Sequence, residues 1–216
     1  MKKKLIIVGA VIIFAQLNLQ AQFESAKQVF NSPVLKTEIA KHKKVAILPF
    51  HATISYKRMP KGYDAEGNKA EEQSLSTQMQ QGMYTYLLRK SGNYAVTFQN
   101  VERTNAVLKQ KGMYDKINEM PQDSICAALG VDAVIKCNYA YQKTGSEAGA
   151  IAKTVLLGAG WGKTASGALT LQVYNGSDGE LLWRFYKEMN EDVLGSANQV
   201  MERMMRKVAR NFLYEN

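Results

Sequence analysis

Residues 121–141, PQDSICAALGVDAVIKCNYAY, constrain the fold of this chain more than any other stretch. They read as a short helix that stops at Gly130 and turns directly into a strand. Pro121 suits a first helical position, where its missing N–H goes unneeded, and Gly130 suits a left-handed C-terminal cap. The strand alternates, with Ala133, Ile135, Cys137 and Tyr139 on one face and Asp132, Val134, Lys136 and Asn138 on the other. One apolar face and one mixed face place it in a sheet with one side under helices.

The rest of the chain can be fitted to that frame. Residues 45–50, VAILPF, form a continuous apolar run that reads as a central strand buried on both faces, with Pro49 tolerated only near its end. Residues 71–90 predict a helix whose core stripe is Leu75, Met79, Met83 and Leu87. Residues 94–99 predict a strand. Asn100 then caps a helix that turns Ala106, Val107 and Leu108 inward and ends near Gly112. Alternation over 169–174 and 181–185, around turn residues Asn175–Gly176 and Asp178–Gly179, predicts a hairpin. Residues 197–213 predict a final amphipathic helix, with Ser196 and Gln199 as a capping box. Val200, Met201, Met204, Val208 and Phe212 form its inner stripe, and Arg203, Arg206, Lys207 and Arg210 its solvated face. Two stretches are weaker. Residues 25–30 read as a short helix before a break at Pro33 and an apolar group at Val34, Leu35 and Ile39. Residues 51–69 read as a polar crossover loop, a candidate for binding. The predicted order is β-α-β-α-α-β-β-β-α, an α/β (α+β) mixed sheet packed by helices.

Residues 1–21 read as a secretory signal peptide. Lys2, Lys3 and Lys4 precede an apolar run from Leu5 to Ala15, and a small residue, Ala21, stands at the expected cut. The run is shorter than the ~20 residues a spanning helix needs. Export to the periplasm therefore leaves residues 22–216 as a single domain, with no cysteine near the cut to carry a lipid anchor. Removing three lysines and no acid takes the net charge from +9 to +6. In an exported protein that balance favours anionic envelope material over nucleic acid, or serves solubility alone.

Cys126 and Cys137 lie either side of the helix–strand turn. Cys137 sits about seven residues past it, roughly 20 Å along the strand, whereas a disulfide needs Cα atoms within about 7 Å. Two buried free thiols are expected. His42 and His51 are the only imidazoles, too few for a Cys/His metal site at sensible spacing, so neither metal nor cofactor is expected.

Residues 158–164, GAGWGKT, approach a phosphate-binding loop but miss it. The first glycine of that motif would fall at Leu157, and a strand pattern follows where a helix is required. No serine sits in a nucleophile elbow, and no carboxylate pair stands out, so the chain reads as a non-enzyme. Residues 148–162 are apolar and rich in small side chains, interrupted by Lys153. Such a run either packs over the sheet or makes a contact. Its candidate contact residues are Ala150, Ile151, Val155, Leu156, Leu157 and Trp161, facing an envelope protein partner, a second copy or the outer-membrane surface.

Residues 45–50, residues 92–96 leading into 101–108, residues 129–135 and residues 179–183 together resemble one group of envelope proteins. These are the relatives of the curli secretion subunit CsgG, the synthase activator LpoB and the N-terminal domain of TolB. The resemblance implies a mixed sheet with helices on its faces. It also implies non-catalytic work through protein–protein contacts in envelope assembly or secretion, with no catalytic residue to carry over. CsgG-like channels insert two amphipathic hairpins per subunit, and residues 148–162 are the one candidate here. The alternative it leaves is an oligomeric, outer-membrane-associated secretion component that uses this segment.

Overall fold

The computed structural model describes residues 27–143, 165–191 and 197–215. They form β1 (Gln28–Asn31), α1 (Leu35–Ile39), β2 (Lys44–Ile47), β3 (His51–Tyr56), α2 (Ala65–Arg89) and β4 (Thr97–Phe98). Then follow α3 (Val101–Gln110), α4 (Gln122–Leu129), β5 (Ala133–Lys143), β6 (Ala165–Asn175), β7 (Leu181–Glu191) and α5 (Ala197–Ala209). The seven strands make one mixed sheet in the order β1-β7-β6-β5-β2-β4, with β3 also paired to β5. β5 is the hub: its first half runs parallel to β2, its second half parallel to β3, and its other side antiparallel to β6.

The helix–strand unit has a physical basis in two residues. Pro121 is the N-cap of α4, with ψ at 140°, one position earlier than expected, and its carbonyl accepts from Ile125 N. Gly130 ends the helix at φ 64°, ψ 50°, a conformation that a Cβ makes costly. The chain leaves that turn as β5 with the expected alternation. Ala133, Ile135, Cys137 and Tyr139 enter the larger core, and Val134 enters a smaller one on the other face. β2 divides likewise, Val45 and Ile47 to one side, Ala46 and Leu48 to the other.

α2 and α5 cover the first face. Met79, Met83 and Leu87 of α2 meet Met201, Met204, Met205 and Val208 of α5 over Leu171, Val173, Trp183 and Phe185. Each such side chain, fully buried, contributes about 1.5–3 kcal/mol. α3 and α4 cover part of the second face, with Leu108, Ile125 and Leu129 against Ala46, Leu48 and Val134 and with Tyr174 of β6 packed alongside.

Several expectations are corrected. Residues 28–31 are a strand, not part of a helix, because the edge of β7 offers them an antiparallel register. The polar crossover loop contains β3, whose Ala52 and Ile54 are buried while His51, Thr53 and Ser55 are exposed. α2 starts at Ala65, not Glu71, capped by the Asp64 carboxylate accepting from Glu66 N at 3.0 Å. β4 is confined to Thr97–Phe98 because Tyr94 turns to bridge Glu215. In α3 the buried residues are Val101, Thr104 and Leu108, and Ala106 is exposed. A register irregularity beside Val173 and Tyr174 buries Leu182 and leaves Leu181 half-buried. β1, α1 and β3 are thus additions to the predicted order. The Ser196 capping box lies outside the described residues. Among the described residues, no helix is long and apolar enough to cross a membrane.

Candidate functional site

The contact residues expected from the sequence, Ala150, Ile151, Val155, Leu156, Leu157 and Trp161, lie outside the described residues. His51 stands exposed at the start of β3. His42 is buried in a structural network described below. Cys126 and Cys137 are free and buried, one in each core. Among the described residues no group of three or more His, Cys, Asp or Glu could hold a metal ion.

What the fold presents outward is the half of the second sheet face that no described helix covers. Residues paired across neighbouring strands share a face, so the registers give its rows directly. One row runs His51, Asn138, Thr170, Tyr186, Gln28. The next runs Lys136, Gln172, Arg184, Phe30. Every one of these side chains is half-buried or exposed. Burial holds the Lys136 ammonium below its usual pKa range, and it has no carboxylate partner among the described residues. The Arg184 guanidinium lies over the Tyr186 ring, 5.8 Å from its centre, and the Tyr186 hydroxyl donates to Glu188. Phe30 is opposite Arg184 on the next strand and 47% exposed. An aromatic–arginine–aromatic cluster therefore lies on the open face beside the sheet edge. Sequence pattern does not reveal it, because residues 25–30 read as a short helix and a four-residue strand has too few positions to show its own period.

The sheet edges differ in how they end. On β3, the outward N–H of Ala52 donates to Ser76 Oγ at 3.2 Å, and that of Ile54 donates to Glu72 Oε1 at 2.7 Å. Two α2 side chains thus occupy donors that would otherwise accept another strand. At the β4 side, Ala95 N donates to Tyr214 O, tying the C-terminal residues alongside. β1 has no such cover among the described residues, and all four of its residues are exposed. Val29 and Val34 beside Phe30 are exposed as well, at 37% and 52%.

A polar network centred on buried His42, Asn175 and Tyr214 holds the framework at the β6–β7 turn. Asn175 Nδ2 donates to Ser177 Oγ at 2.8 Å, Asp178 Oδ2 at 3.1 Å and Glu38 Oε2 at 3.3 Å. Its Oδ1 is left to accept from His42 Nε2 at 3.1 Å, so His42 Nδ1 accepts from the Tyr214 hydroxyl at 2.8 Å. Burial, reinforced by Cys126 and Asp132, pushes the Tyr214 phenol far above its ordinary range and keeps it a donor. Nearby, Asp132 Oδ2 accepts from Lys43 N and Lys44 N, both at 2.8 Å. Its backbone carbonyl accepts from Gly176 N at 2.8 Å. Gly176 sits so close that a Cβ there would meet Asp132 O at 2.6 Å. The network joins the approach to β2, the β6–β7 turn and the C-terminal residues, and its polar atoms are spoken for.

Fold and site together define a mixed α/β protein with one open sheet and helices packed on it. No protein-family model matches the chain, and no curated protein matches it. Solved structures resemble it weakly. A lipoprotein from Neisseria meningitidis matches at 13% identity and a TM-score of 0.46, over 78% of this chain and 96% of that one. The PelC dodecamer from Paraburkholderia phytofirmans matches at 11% identity and 0.44, over 88% and 98%. The LpoB C-terminal domain from Salmonella enterica matches at 11% identity and 0.35, over 74% and 94%.

Proposed function

We propose that this chain is an exported, non-catalytic protein that works in the periplasm through contacts with other envelope proteins. One observation carries the reading: Phe30, Arg184 and Tyr186 lie together on a sheet face that no described helix covers, beside the one sheet edge that no described residue closes. Arg and Tyr are enriched among the residues that dominate protein–protein binding energy, and interface cores are enriched in Phe, Tyr and Arg. The surrounding Gln, Asn and Thr rows supply the hydrogen-bonding rim such contacts use. The basic, then apolar start of the chain supports export.

A photo-crosslinking residue placed at Arg184 in the exported protein is expected to trap a discrete envelope protein. The same residue at Lys109, exposed on α3, is expected to trap nothing in common with it. An absence of adducts from position 184, or identical adducts from both, overturns the reading. A reporter enzyme active only outside the cytoplasm, fused after residue 21, tests export separately.

A further inference from the structure

We infer that the partner at the β1 edge is a second copy of this chain, its β1 running antiparallel and Phe30 opposite Phe30 across a two-fold axis. This rests on reading the uncovered face as a protein-contact surface, and it names one partner for it.

The hydrogen-bond phase of β1 sets the register. Ser32 N donates to Leu182 O at 2.8 Å, so Ser32 and Leu182 form a hydrogen-bonded antiparallel pair. Such pairs alternate, so Phe30 with Arg184 and Gln28 with Tyr186 also turn their main-chain groups inward to β7. Val29 and Asn31 therefore point their N–H and C=O outward. A second β1 can use both only if Val29 of each copy meets Asn31 of the other, which brings Phe30 to the axis. The two Val29–Asn31 pairs are then hydrogen-bonded and give four main-chain bonds. The Phe30 pair is of the other kind, in which Cα atoms approach to about 4.5 Å and side chains are closest.

The side chains accept this arrangement. Both Phe30 rings fall on the uncovered face, each flanked by an Arg184 from its own copy. Aromatic pairs at such positions add to strand pairing. Gln28 meets Ser32 and Lys27 meets Pro33, so no like charges are opposed, and Lys27 is already held by Asn211 Oδ1 at 3.1 Å. Centring the axis on Val29 instead would draw in Lys27, which precedes the strand, and would set Phe30 against Gln28. The strand itself, QVFN, has neither charge nor proline to block an edge. The β3 edge, occupied by Ser76 and Glu72, cannot compete.

The test is disulfide trapping in the full chain as exported, with sedimentation of the unsubstituted protein alongside. Phe30→Cys is expected to give a covalent dimer under mild oxidation. Val29→Cys is expected to give none, because the two thiols would sit two residues out of step, beyond the reach of about 7 Å. Val29→Pro, which removes an outward donor and leaves the β7 bonds intact, is expected to yield a monomer with unchanged circular dichroism and melting temperature. A monomeric protein in which Phe30→Cys stays uncrosslinked overturns the pairing. So does crosslinking by Val29→Cys in place of Phe30→Cys. Slow amide exchange at Val29 and Asn31 in a monomer would assign the edge to another segment of the same chain and also overturn it. In each of these cases, an adduct from Arg184 to a different protein leaves the broader reading standing.

Discussion

Asp132 carries a structural task out of proportion to its exposure. Burial works against its charge, but the amide hydrogen bonds from Lys43 and Lys44 and the nearby His42 and Lys43 outweigh it, so its carboxyl is held below the usual range. A depressed carboxylate adds stability that is present above the unfolded value, about 3.9, and is lost as pH falls through the lower folded value. Asp132→Asn keeps an acceptor oxygen and discards the charge. It is expected to cost about 1 kcal/mol at neutral pH, below the usual range for a charged hydrogen bond because solvent reaches the group and an acceptor oxygen remains. Urea titrations between pH 7 and 3 should show a shallower acid loss for the variant than for the parent. Asp132 lies one residue before β5, in the turn that follows Gly130, so the alternation that assigns it to a strand face does not describe it. Its partners were not legible, because Lys43 and Lys44 come from a segment 88 and 89 residues away. His42 is the same case: its sequence context shows only one of two imidazoles, and the fold alone sets it between Asn175 and Tyr214.

At the scale of elements, long amphipathic segments were readable and edge strands were not. The stripes of α2 and α5 and the hairpin β6–β7 each carry enough periodic positions to reveal their period from within. β1 has four residues and no period of its own, and its conformation is decided by the free side of β7. β3 does alternate, with Ala52 and Ile54 inward, but His51, Thr53 and Ser55 outweigh them in a reading by composition. Its stability as an edge depends on α2. Glu72→Ala would leave the Ile54 N–H without its acceptor, at a cost of about 1–3 kcal/mol. Amide exchange at Ile54 is expected to accelerate more than at Ile47, a central-strand residue. Equal acceleration at both would mean that the side chain supports the whole fold and does not guard the edge.

At the scale of the whole molecule, the described residues form a sheet between two unequal layers, and the cysteines report on each. Cys126 lies in the smaller core, where burial pushes its thiol up to about 12; Cys137 lies in the larger one, where burial pushes it up strongly. Neither presents a thiolate to solvent in the folded state, so labelling by a thiol reagent at pH 8 requires opening. If the layers unfold as one unit, both cysteines are expected to label at one rate, at least about 10³-fold slower than in denaturant. Faster labelling of Cys126 would show that the α3/α4 layer opens by itself. The shared central sheet argues for a single transition, since Ala46 and Val134 of one core alternate with Val45, Ile47 and Ala133 of the other along the same strands.

The sequence by itself determined what local chemistry can determine: the stop at Gly130, the alternation of β5, the helix stripes and the hairpin. Each follows from steric limits on one residue or from a period contained in one segment. Among the described residues, the tertiary structure decided which strands lie at the edges, which of those edges a side chain closes, and which half of the second face has no helix over it. Those outcomes depend on contacts between residues far apart in the chain, such as Phe30 with Arg184 or Ile54 with Glu72. No period within one segment encodes them. The surface through which this protein is proposed to act belongs to that second group.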